Sequence, residues 1–150
     1  MKEYMKFIKL RPVKSPERGT PQSAGIDFFV PSDYCEIVVF SNQQVLIPSG
    51  IKVKVPEGYA LIAFNKSGVS TKLELQVGAC VVDEDYQGEV HINVYNRGLN
   101  PVMIYPDMKL CQFILLPVNY AEPSELLSET ELYNGAKTKR ADGGFGSTGK

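Results

Sequence analysis

The chain has 150 residues, 43% of them hydrophobic and 22% charged, with a formal net charge of -1, which gives room for one soluble domain with a real core. That balance excludes bulk electrostatic recruitment to nucleic acid or to an anionic membrane, and no apolar run approaches a bilayer span. Cys35, Cys80 and Cys111 are odd in number and widely spaced, which argues against a disulfide framework or zinc cluster and suits a reducing cytoplasm, or the nucleus for a eukaryotic or viral source.

In chain order, "MKEYMKFIKL" breaks its apolar residues with Lys and Glu and does not read as a signal peptide. "AGIDFF" (24–29) sets Asp27 inside an apolar strand. A carboxylate is costly there unless hydrogen-bonded, so Asp27 is expected to anchor a turn or face a polar site. "IKVKV" (51–55) alternates, with Ile51, Val53 and Val55 on one face and Lys52 and Lys54 on the other. "YALIAF" (59–64) reads as a more fully buried strand. "NKSGVSTK" then predicts one short helical turn. There Lys66, Ser67 and Gly68 form either an anion nest or an ordinary polar connection.

"VVDEDYQGE" follows an apolar run and is closed by Gly88. Alternation turns Asp83 and Asp85 one way and Glu84 the other. This is an ordinary acidic hairpin tip or the seat of a general base with Tyr86 beside it. "EVHINVY" (89–95) places Val90, Ile92 and Val94 opposite Glu89, His91, Asn93 and Tyr95. His91 is the one histidine, and its place on the polar face makes Ser–His and Cys–His catalysis poor readings. "QFILLPV" (112–118) is another buried strand. Turn signals at 30–33, 47–50, 55–58, 96–100 and 105–107 separate these segments, and short strands at such spacing predict an all-β sandwich or barrel.

From about Pro123 the strand pattern stops, dividing a body (1–122) from an arm (123–150) whose "PSELLSETEL" (123–132) predicts a short helix. The arm ends "RADGGFGSTGK". Its G-x-x-x-x-G-K is not a P-loop, which needs a strand before it and a helix after it. Phe145 among glycines is suited to stacking. Two anion loops, one water-activating carboxylate, one stacking ring and no catalytic histidine suit hydrolysis of a nucleoside phosphate.

Five segments in this order resemble the motifs of the trimeric dUTP pyrophosphatase (dUTPase) family: "AGIDFF", "NKSGVS", "VGACVVDEDYQGEV", "DMKLCQF" and "RADGGFGSTG". The resemblance implies a distorted jelly-roll-like β-barrel of the β-clip type, assembled as a homotrimer with swapped C-terminal arms. It implies Mg2+-dependent hydrolysis of dUTP to dUMP and pyrophosphate by water attack on the α-phosphorus. That reaction limits uracil incorporation into DNA and supplies dUMP for dTMP synthesis.

By motif match, Asp83 orients the water, and Tyr86 packs under the deoxyribose. Main chain around Gly78, Ala79, Cys80 and Val82 reads uracil. Lys66, Ser67, Gly68 and Gln112 contact phosphates, and Asp27 stands near the metal's water shell, the Mg2+ itself being held by triphosphate and waters. Arg140, Gly146, Ser147 and Thr148 close on the γ-phosphate while Phe145 stacks on the base. The sequence departs from the family at Lys66, usually Arg, and at Cys80, Asp107 and Ala141, usually Gly. The alternatives are a dCTP deaminase of the same fold, whose glutamate base and serine–arginine element are not found beside "VVDEDY", and a catalytically weak regulatory binding protein.

Overall fold

The structure, a computed structural model, describes residues 4–144. In chain order its elements are β1 (Lys6–Lys9), β2 (Ile26–Asp27), β3 (Ile37–Val39), β4 (Gln44–Pro48), β5 (Ile51–Lys54), β6 (Tyr59–Asn65), α1 (Ser67–Lys72), β7 (Leu75–Val77), β8 (Val81–Val82), β9 (His91–Asn96), β10 (Val102–Ile104), β11 (Cys111–Pro117) and α2 (Glu129–Tyr133). The strands form a jelly-roll-like β fold of small antiparallel sheets. They are ordered β2-β11-β6-β8 and β4-β9-β7, with the pairs β1-β5 and β10-β3. Two compact units divide the chain, Met1–Asn119 and Tyr120–Lys150.

Alternation explains β5, where Ile51 and Val53 are buried and Lys52 and Lys54 exposed. The strand buries one face only, and a lysine turned to that face would lose its hydration. β6 and β11 pair along seven positions, Cys111↔Asn65 to Pro117↔Tyr59. They carry Leu61 and Phe113 into a core shared with Phe28, Ile47, Ile92, Ile104 and Leu110. The Phe28 and Phe113 rings meet with centroids 4.5 Å apart, tilted by 44°, a favourable arrangement for aromatic pairs.

Two expectations change. "EVHINVY" forms β9, but its polar positions do not share a solvated face. Asn93 is buried, its side chain hydrogen-bonded to Val45 on the neighbouring β4 and to the Ala79 amide. The predicted helix over 123–132 shrinks to Glu129–Tyr133. Ser128 caps its start, accepting from the Glu131 amide, and Asn134 ends it in the left-handed conformation at φ 49°.

Of the three positions where the sequence carries a side chain in place of a motif glycine, two have positive φ, 66° at Asp107 and 45° at Ala141, and Cys80 does not. Such a conformation is natural for glycine and strained for a residue with a Cβ. Asp107 offsets part of this cost. One carboxylate oxygen accepts from the Ser32 hydroxyl at 2.9 Å and the other meets Lys14 at 3.5 Å. Ala141 has no side chain with which to do the same.

Candidate active site

The acidic turn lies at the end of β8. Glu84 points inward and accepts from the Gly58 amide at 2.5 Å. Asp83 and Asp85 remain exposed, as alternation requires. Tyr86 is bound into the same turn. Its amide donates to the Asp83 carbonyl at 3.2 Å, and its hydroxyl donates to the Glu89 carbonyl at 3.0 Å. A Cβ on Gly88 would collide with the Tyr86 hydroxyl and ring, so glycine is what lets the ring fold back over its own turn. The ring thus stands 44% exposed yet fixed at its far end. Glu89 in turn accepts from the Gly50 amide at 2.6 Å.

A cavity of about 220 Å³ opens beside this turn, lined among others by Ala79, Cys80, Val82, Tyr86, His91 and Phe113. The segment 79–82 forms one side of it, and Phe113 reaches it from the core. The Cys80 carbonyl is tied to β6, accepting from the Ala63 amide at 2.8 Å. Main-chain polar groups fixed by neighbouring strands on an apolar cavity can distinguish hydrogen-bonding edges of a small planar ring. His91 is half-buried, with Nδ1 2.9 Å from the Glu89 carbonyl, which occupies one of its two ring nitrogens.

A second cluster gathers around the start of α1. Asp27 is buried, and its two oxygens meet different ammoniums: Lys66 at 2.5 Å and Lys109 at 3.2 Å. Gln112 pairs with Asp27 across β2 and β11, and its amide donates to the Asn65 carbonyl at 2.9 Å. Ser67 and Gly68 open α1, whose N-terminus carries no side-chain cap. Helix-start amides without an internal partner, beside two lysines, can donate to phosphate oxygens. Lys109, which sequence reasoning passed over, belongs to this cluster; its one sequence signal is its place inside "DMKLCQF".

Cys111 lies under these groups. Burial first, and then the Asp27 carboxylate, push its thiol up to about 12 against the opposing pull of Lys66. It therefore stays protonated at neutral pH and is no nucleophile. Magnesium prefers oxygen donors and keeps several waters. Asp27, already sharing both oxygens with lysines, fits a place beside such waters better than that of a bare ligand. Among the described residues no three of His, Cys, Asp and Glu group to hold a metal.

Lys66, Ser67, Gly68 and Gln112 are not among the residues that line the cavity. Arg140 is described in the second unit, where its Nε donates to the Gly143 carbonyl at 2.8 Å. Phe145, Gly146, Ser147 and Thr148 lie outside the described residues.

A family model described as dUTPase matches residues 11–149. The deoxyuridine 5'-triphosphate nucleotidohydrolase of Polynucleobacter asymbioticus is 36% identical over 138 residues, spanning 90% of this chain and 88% of the relative. That of Mus musculus is 31% identical over 148 residues, spanning 97% of this chain and 85% of the relative. Among solved structures, a dUTPase of Staphylococcus bacteriophage 80alpha with dUpNHpp superposes with a TM-score of 0.85 at 21% identity, over 99% of this chain and 100% of that one. A dUTPase of phage phi11 of S. aureus, which coordinates a structural Mg(II) ion, superposes with a TM-score of 0.76 at 22% identity, over 84% of this chain and 98% of that one.

Proposed function

The chain belongs to the dUTPase family and is a dUTP diphosphatase, cutting dUTP to dUMP and pyrophosphate; from that premise we propose how its own residues divide the work. The cavity beside the acidic turn takes the uracil and deoxyribose, and the α1 cluster takes phosphates. The observation that carries this reading is the cavity itself, about 220 Å³, lined by residues 79–82 and by Tyr86.

Uracil presents a donor between two acceptors, and cytosine reverses that polarity at two edge atoms, the ring nitrogen N3 and the group on C4. A wall of fixed backbone amides and carbonyls therefore accepts one base and leaves unpaired groups against the other. The same wall leaves no space for the 5-methyl of thymine. Tyr86, held at both its amide and its hydroxyl, forms a floor that a 2′-hydroxyl would strike. At the phosphates, Lys66 and Lys109 supply charge while the Ser67 and Gly68 amides and Gln112 supply donors. Lys66 is a point charge and not a planar fork, so it holds the phosphate without bidentate geometry. Mg2+, carried on triphosphate oxygens and waters, neutralises charge on the phosphates when bound. Asp83 accepts the proton of the water that attacks the α-phosphorus. The P–O bond to the bridging oxygen breaks, and pyrophosphate leaves.

From the family resemblance we infer that the complete site is assembled by a homotrimer. One chain supplies the α1 cluster, a second the 78–90 hairpin and a third the arm from about Pro123. Sedimentation at micromolar concentration is expected to give a trimer; a stable monomer with full activity would refute the shared site.

Pyrophosphate release from dUTP, dCTP, dTTP and UTP tests the assignment, and dUTP should be strongly preferred. Tyr86→Ala should raise UTP hydrolysis relative to dUTP. An unchanged ratio would mean that another group reads the sugar. Preference for dCTP with release of ammonia would turn the reading toward a deaminase, and binding of dUTP without turnover toward a regulatory protein.

A further inference from the structure

We propose that Asn93 is a positioning residue for uracil selection, its buried side-chain amide holding the hairpin main chain in the shape that reads the base. The role rests on the assignment of that hairpin to the base. Asn93 sits in the middle of β9 and is only 6% exposed. Its Oδ1 accepts from the Ala79 amide at 2.7 Å. Its Nδ2 donates to the Val45 carbonyl at 2.9 Å and to Gln44 Oε1 at 3.2 Å. Its main-chain carbonyl accepts from the Gly78 amide at 3.0 Å. Only one orientation of a carboxamide puts an acceptor on an N–H and a donor on a carbonyl, so the surrounding network fixes it.

The consequence is geometric. Asn93 links two strands and a connection: it lies on β9, bonds to β4, and ties down the residues between β7 and β8. Ala79 and Cys80 line the base cavity, and the position of Ala79 is set by the Asn93 carboxamide. The fit is close, since a Cβ on Gly78 would collide with Asn93 Oδ1. Asn93 does not act on the base itself. It fixes the backbone that does, and hydrogen-bond readout by backbone is sensitive to small displacements.

The test is steady-state pyrophosphate release from dUTP and dCTP by the full chain, with thermal melting alongside, for wild type, Asn93→Leu and Asn93→Asp. Leucine keeps the volume and loses both hydrogen-bonding functions. Aspartate keeps the acceptor for Ala79 but sets an oxygen against the Val45 carbonyl, and protonation restores a donor there. Asn93→Leu is expected to raise KM for dUTP about tenfold and to lower the dUTP-over-dCTP ratio of kcat/KM similarly, with kcat within a few-fold. Asn93→Asp is expected to show the same defect at neutral pH and to recover as pH falls.

A role in packing alone lowers the amount of folded enzyme, so kcat would drop while KM and the ratio stayed put; that result overturns the proposal. If Asn93→Leu does not fold, Asn93→Asp carries the same reading. Wild type that fails to prefer dUTP over dCTP sinks the base assignment. Wild type that discriminates beside variants that discriminate equally well sinks Asn93 alone.

Discussion

Asp83→Asn should abolish dUTP turnover while leaving dUTP binding within roughly tenfold, about 1.4 kcal/mol. The amide has the shape of the carboxylate and loses its capacity to accept a proton from water. The substitution is also structurally mild. The side chain is exposed, and the hydrogen bond that organises the turn uses the Asp83 main-chain carbonyl, which receives the Tyr86 amide. The neighbouring Glu84, not Asp83, anchors the turn through the Gly58 amide. Loss of activity in a variant that melts like wild type and still binds a non-hydrolysable dUTP analogue is therefore the expected result. Hydrolysis near the wild-type rate would show that another group handles the water.

The second large effect concerns the arm. Removing 140–150 takes away Arg140, the Phe145 ring and the Ser147 and Thr148 hydroxyls together. It should leave the body folded, because the buried hydrophobic residues among those described run from Val13 to Phe113 and the first compact unit ends at Asn119. Charge contacts to the γ-phosphate and stacking on the base act best in a water-depleted site, where electrostatic stabilisation is strongest. Their loss should lower kcat at least about a hundredfold, roughly 2.7 kcal/mol of barrier. Phe145→Ala alone should cost less, since stacking a base on a ring is worth about 1–3 kcal/mol. A truncated chain with wild-type circular dichroism and undiminished kcat would remove the arm from the mechanism.

Where one face of a strand is dry and the other wet, the sequence was easy to read. The β5 residues Ile51, Lys52, Val53 and Lys54 occupy the faces that alternation assigns them. The same rule sorted Glu84 from Asp83 and Asp85. It failed at β9, where period-2 reasoning put Asn93 on a solvated face, although Asn93 is buried between the half-buried His91 and Tyr95. It was mute at β2 and β8, two residues each, which are too short to show a period. These short strands nonetheless position Asp27 and the residues leading to Asp83. The helix at 123–132 was overextended because charged and leucine residues there fit a helical period; the start was decided by a capping serine at 128 and not by Pro123.

The sequence by itself determined the all-β class and the order of the motifs, because these follow from local periodicity, turn chemistry and composition. Tertiary structure alone decided the partners. Lys66 and Asp27 meet although 39 residues apart, and Gln112 reaches Asn65 across 47. No local pattern encodes which strands pair or in what register. A buried charge or amide takes whatever partner the packed sheets bring within about 3 Å, since leaving it unpaired costs more than any single such bond contributes. For that reason the two lysines on Asp27 and the Asn93 amide behind the base cavity became visible only in the folded chain.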